Sequence, residues 1–202
     1  MPKTEDIING LQSIVNEYST VAMIWHALFY LLLAALIFEW EPSNKLMGIL
    51  ICLPLLSVAV FAWLTGNPFN GVLFSLMTLL ICIFAIRGSG EPVSDSQLPF
   101  VIIGILMIVF GLVYPHFIQA NSFLKYLYAS PVGLVPCPTL SILIGFLLLY
   151  NGFGSQSLTL TFIVFGLFYG LFGAIKLSVY LDIFLIFGSV SLLVKFFMPL
   201  KI

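Results

Sequence analysis

Charge is scarce in this chain. Of 202 residues, seven are Lys or Arg and eight are Asp or Glu, 7% in all. Water-soluble domains carry about a quarter charged residues. With 61% hydrophobic residues and a mean hydropathy of +1.19, a globule of this size has too little polar surface to face water. The solvent it implies is lipid. The net charge of −1 leaves no basic face and excludes nucleic acid as a partner. Cysteine is sparse too. Cys52, Cys82 and Cys137 stand far apart and form no C-x-x-C pair, which argues against a disulfide framework or a zinc ribbon. Two histidines, His26 and His116, offer no paired pattern for haem. No P-loop, G-x-S-x-G, H-E-x-x-H or dinucleotide fingerprint is present. The first residues hold Lys3, Glu5, Asp6 and Glu17 rather than an early apolar core. The expectation is therefore an uncleaved signal supplied by the first spanning helix.

Long apolar runs are what the chain has in abundance. A bilayer core of about 30 Å takes roughly 20 residues of helix. The runs predict an all-α, polytopic transmembrane bundle, with a polar segment over 1–18 and one membrane domain over 19–202. Seven spans are expected, at about 19–38, 46–64, 68–86, 99–114, 136–150, 158–175 and 177–197. The last two are divided only by a turn near Lys176, so six remains the alternative count. None of the runs alternates polar and apolar positions as barrel strands would. Pro54 predicts a kink in the second span. With seven spans, Lys3, Lys125 and Lys176 fall on one side of the bilayer. Lys45, Arg87, Lys195 and Lys201 fall on the other. Three against four leans toward the N-terminus outside and the C-terminus inside.

Between the fourth and fifth spans, "YPHFIQANSFLKYLYASPVGLVPCP" is too apolar for a solvated loop. It reads as a short interfacial helix with rings at headgroup level, or as a re-entrant segment covered by protein. "VYPHF", "SPVGLVPCPTLSILIGFLLL" and "YLDIFLIFG" together resemble the bacterial multi-pass membrane family described as domain of unknown function 6064. The matching positions are Tyr114, Pro115, Gly133, Pro136, Cys137, Pro138, Thr139 and Asp182. Tyr18 with Trp25, and Asn67 with Pro68, look similar. The chain departs from that pattern where Trp25 is followed by His26 instead of Pro. The resemblance implies a small protein of the bacterial inner membrane and carries no activity with it.

Each residue that bears chemistry has a structural reading beside a functional one. Pro136 and Pro138 flank Cys137. Because a residue before proline avoids the α region, the thiol is expected on an extended segment. It is either a metal or redox thiolate, or part of a helix-starting device with Pro131, Gly133 and Thr139. His26, inside the first span, is a metal ligand or proton relay, or a neutral ring bonded to a carbonyl. His116 suits the C-terminal dipole of the fourth span as a cation. Asp182 is the leading ionisable candidate. It is a coupling or cation-binding group, a partner of Lys176, or a carboxylate in the first turns of a seventh helix capped by Ser178. Gly166, Gly170 and Gly173 share a face suited to close helix packing. No cofactor is expected. A metal held jointly by Cys137, His116 and His26 is the lesser alternative, since no ligand spacing supports it.

The function these residues favour is binding or transport of a small molecule or ion, with Asp182, His26, Tyr114, His116 and Cys137 near the site. The alternatives are an accessory membrane subunit, and a redox or metal protein that uses Cys137. Expected partners are the bilayer and a second copy or another membrane subunit.

Overall fold

The computed structural model describes residues 4–119 and 122–198; Lys3 and Lys201 of the charge tally lie outside them. Nine α-helices run along the described chain: α1 (Thr4–Glu17), α2 (Ser19–Ile37), α3 (Asn44–Leu64), α4 (Pro68–Ile86), α5 (Leu98–Leu112), α6 (Tyr126–Ala129), α7 (Pro136–Leu149), α8 (Gln156–Leu171) and α9 (Ile183–Phe197). Among the described residues there is no strand, only an isolated bridge between Ser43 and Pro92. Five helices, α2, α3, α4, α8 with its following turn, and α9 with its preceding one, are long and apolar enough to cross a membrane. α5 and α7 are apolar but shorter.

Local chemistry sets the helix starts. Ser43, Asn67 and Ser155 each accept a first-turn amide, from Leu46, Asn70 and Leu158. Pro68 and Pro136 occupy first-turn positions, where the missing N–H costs nothing. The loop after α4 has its own task. Its Glu91 and Ser89 carbonyls accept from the amides of Asn44 and Lys45, so the start of α3 is satisfied by backbone. Pro54 is buried inside α3, yet the helix runs through it from 44 to 64.

α7 explains how a 14-residue helix belongs in this bundle. Pro136 and every residue from Pro138 to Leu148 are buried. It is the central helix, so protein rather than lipid sets its length. Its contact with α5 is unusually close. A methyl on Gly145 would stand 2.7 Å from the Gly104 carbonyl, and one on Gly111 would stand 2.6 Å from the Pro138 carbonyl. Two glycines seven residues apart on α5 thus face α7 backbone two turns apart. The glycines noticed in the sequence form a second seam. Gly166 faces Ser189, Gly170 faces Ile186 and Gly173 faces Asp182, so that stripe joins α8 to the α9 side of the same chain.

Three departures from expectation stand out. The polar segment before α2 is itself a helix, α1. Its Leu11, Ile14 and Val15 are buried in a second, smaller core with Tyr114, Phe117, Leu134 and Val179. α9 begins at Ile183 rather than at 177. Ser178 sits at φ +57° and caps nothing, and Leu177–Val179 crosses the bundle end as irregular chain. The segment between α5 and α7 has two parts. Phe123–Ala129 is short helix with Phe123 and Leu124 exposed, whereas Ser130–Pro136 is buried throughout. Buried backbone there is satisfied from neighbouring helices. Thr139 accepts from the Gly133 amide at 2.9 Å, and Ser57 donates to the Gly133 carbonyl at 2.6 Å. Gly133 has φ +73°, and a side chain there would collide with Trp25.

Candidate functional site

The irregular stretches 65–67, 113–119, 130–135 and 177–179 meet at one end of the bundle. α4, α7 and α9 begin there, α3, α5 and α8 end there, and α1 lies across it. A cavity of about 460 Å³ opens between them. Ile7, Gly10, Leu11 and Ile14 of α1 line one wall, and Phe69, Phe117, Tyr169 and Phe172 supply aromatic rings. Its polar lining is brief: Thr65, Asn67 and Asn70 with Cys137, Lys176 and Asp182.

Asp182 is the centre of that polar lining. It is 1% exposed. The Tyr114 hydroxyl donates to its Oδ1 at 2.8 Å and the Cys137 thiol to its Oδ2 at 3.2 Å. Both donors are neutral, and Lys176, on the same cavity, is not a partner. Gly173 leaves the space the carboxylate occupies, because a Cβ there would overlap Oδ2. Gly173 lies in a π-helical turn, Phe172–Lys176, that ends α8. Such turns recur at functional sites because they re-aim side chains. A second polar pair stands nearby. Tyr169 donates to Asn70 Oδ1 at 3.0 Å, and Asn70 is held in the first turn of α4 through Asn67. Polar groups this deep in an apolar bundle are costly unless bonded, and each of these is bonded.

Cys137 is placed differently from expectation. It lies in the first turn of α7, and the extended residue is Val135, at ψ 155° before Pro136. The first amides of a helix have no partners to lose, so two prolines fit there without breaking it. The thiol donates its proton to a carboxylate, which makes the site a hydrogen-bonded one and not a thiolate held by a cation.

The two histidines stand apart from this cluster. His26 is 1% exposed and ties α2 to α5: Nδ1 lies 2.8 Å from the Ala22 carbonyl and Nε2 lies 3.0 Å from the Leu112 carbonyl. It does not line the cavity. His116 packs edge-on against Phe117, and its buried Nε2 has no hydrogen-bond partner among the described residues. Burial pulls its pKa below the ordinary imidazole value. That opposes the expected cationic role at the end of α5. Among the described residues no three His, Cys, Asp or Glu side chains come together as a metal group.

Of the residues singled out in the sequence, Tyr114, Cys137 and Asp182 therefore meet. Thr139, Gly133, Pro131, Pro136 and Pro138 build the buried entry to α7 beside them. Asn67 and Pro68 start α4 at the cavity edge. Pro115 is exposed. The residues not anticipated are Asn70, Tyr169 and the α1 face. Asn70 follows the Asn67 cap by one turn, a signal the sequence does hold. Ile7, Leu11, Ile14 and Val15 repeat at helical spacing, which was also legible.

Compared with protein-family models, with curated proteins and with solved structures, the chain shows no match. The resemblance described above therefore rests on its quoted residues.

Proposed function

We propose that this chain is an integral membrane protein that binds a small molecule or ion in the cavity beneath α1, with Asp182 as its polar anchor. The observation that carries this reading is a buried carboxylate, bonded only to neutral donors, on the wall of an apolar cavity of about 460 Å³. Intramembrane ionisable groups mark ligand or ion sites by default. A largely apolar cavity of a few hundred Å³ with a few convergent polar groups is the usual form of a small-molecule site. In this reading α2, α3, α4, α5, α7, α8 and α9 are seven crossings of a bacterial inner membrane. The N-terminus is outside, and the likeness to the domain of unknown function 6064 family extends to the Tyr114, Cys137 and Asp182 cluster. The function is binding first. α7 fills the centre of the bundle below the cavity, so passage across it needs the helices to move.

A competing role for Asp182 has its own support. α7 and α9 both begin beside it, and a carboxylate complements helix N-termini. A ligand screen separates the two roles. Gly10 lines the cavity, and a Cβ there meets nothing within 4 Å, so Gly10→Phe adds a ring at the cavity wall with no packed atom in the way of its Cβ. A bound ligand at a hundred times its Kd stabilises a protein by about 2.7 kcal/mol. Small organic compounds that raise the Tm of the detergent-purified chain should lose that effect in Gly10→Phe and in Asp182→Asn. Equal shifts in all three proteins would end the binding reading and leave the carboxylate a helix-terminus partner.

A further inference from the structure

Among the described residues two charged side chains line the cavity, Asp182 and Lys176, and they pull toward opposite ligands. Their surroundings are unequal. Asp182 is 1% exposed, whereas Lys176 is exposed at the rim. A charge pair at a partly buried site interacts roughly fourfold more strongly than one in bulk water, and exposed charges are further screened by salt. The carboxylate therefore decides the sign of the ligand.

Four rings, Phe69, Phe117, Tyr169 and Phe172, share the cavity with it. Aromatic faces attract cations and add to a carboxylate's pull. The alternatives fit less well. A hard cation such as Ca2+ or Mg2+ takes six or more oxygens, and among the described residues the cavity's one carboxylate is that of Asp182. A softer metal such as zinc takes four ligands, and among the described residues no third His, Cys, Asp or Glu joins Cys137 and Asp182. An anion would look to the N-termini of α4, α7 and α9. However, Pro68, Pro136 and Pro138 remove three of the amide donors it would use, and Asp182 already stands beside α7 and α9.

We infer that the ligand is a lipophilic organic cation, an amine or quaternary onium whose charge sits between the Asp182 carboxylate and the aromatic rings. This rests on the proposal that the cavity binds a small molecule. Lys176 opposes such a ligand, and its removal improves binding.

Three near-isosteric probes test the assignment on the detergent-purified full chain by equilibrium binding: tetraphenylphosphonium, tetraphenylborate and neutral tetraphenylsilane. Tetraphenylphosphonium should bind saturably. Its Kd should rise roughly ten- to a hundredfold in Asp182→Asn, the loss of one Coulomb attraction at a partly buried site. In Lys176→Gln, an exposed change that leaves the packing intact, its Kd should fall about two- to fivefold. Gly10→Phe should abolish saturable binding. Preference for tetraphenylborate, with weaker binding in Lys176→Gln, overturns the cation assignment but keeps the binding cavity. So does equal affinity for the neutral compound, lost in Gly10→Phe. If none of the probes binds in a manner that Gly10→Phe removes, the cation assignment and the binding reading fall together. Should Asp182→Asn fail to fold, the Lys176→Gln direction decides alone: an unchanged or raised Kd refutes the proposal.

Discussion

Replacing Gly173 with Ala tests the centre of the site with a single methyl. The new carbon would overlap Asp182 Oδ2 and stand 2.7 Å from the carboxylate carbon. Ordinary contact begins near 3.4 Å; relieving the carbon alone takes about 0.7 Å, and Oδ2, nearer still, must retreat by more than twice that. Oδ2 is the acceptor for the Cys137 thiol at 3.2 Å, and that bond cannot survive the move. A buried donor left without its acceptor costs about 1–3 kcal/mol. Ala gains up to about 1 kcal/mol over Gly from helix propensity, which offsets part of the loss. The net is destabilisation of about 1 kcal/mol, or roughly 2–4 °C in Tm for a chain of this length. Gly10→Ala is the internal control. It sits in α1 with open space around its Cβ, so only the propensity gain applies and Tm should rise by a similar amount. Thermal unfolding in one detergent reads both. A second readout is maleimide labelling of Cys137 with Cys52 and Cys82 replaced by Ala, which should quicken in Gly173→Ala. If Gly173→Ala raises Tm as Gly10→Ala does and labelling is unchanged, Asp182 is not held in the place described.

Other outcomes follow from the same packing. Gly145→Leu should prevent recovery of a monodisperse protein by size-exclusion chromatography, because even its first carbon meets the Gly104 carbonyl at 2.7 Å and Ile108 at 2.6 Å. Gly90→Leu, with nothing within 4 Å, should behave as wild type. Tyr114→Phe removes one of the two donors to Asp182 and should cost about 1 kcal/mol, seen as a fall of about 2–4 °C in Tm. His116 is held below its ordinary pKa by burial, so the folded state binds a proton less readily than the unfolded chain. Stability is full above a pH of about 6.5 and is lost as pH falls below it. In His116→Phe that acid-side loss of Tm should shrink, and an unchanged profile would place the titration elsewhere.

The helices were legible because apolar length, proline position and caps act locally. The run from Pro68 to Ile86 carries its own cap, Asn67, and the helix occupies that range. Pro136 and Pro138 announce a helix start in the same way. Where local rules compete, the local signal alone misleads. Pro138 disfavours a helical Cys137, but in a first turn Pro138 gives up no hydrogen bond and meets no carbonyl of a preceding turn; only the local steric bias remains, and Cys137 is helical. After Lys176 the run from Leu177 to Val194 holds one charged residue, Asp182, so its hydropathy does not mark the irregular stretch before Ile183.

The composition requires a lipid-compatible chain, and unbroken apolar runs without alternation make it helical, because hydrocarbon leaves backbone amides no partner but each other. Chemistry at single positions also marks Tyr114, Cys137 and Asp182 as unusual. That these three touch is a different kind of fact. They are separated by 68 and 45 residues, and only the packing of α7 against α5, α8 and α9 brings them to one point. The fold likewise separates His26 and His116 from them and lays α1 over the cavity. Periodicity along a chain encodes which face of a helix is apolar; it does not encode which other helix that face will meet.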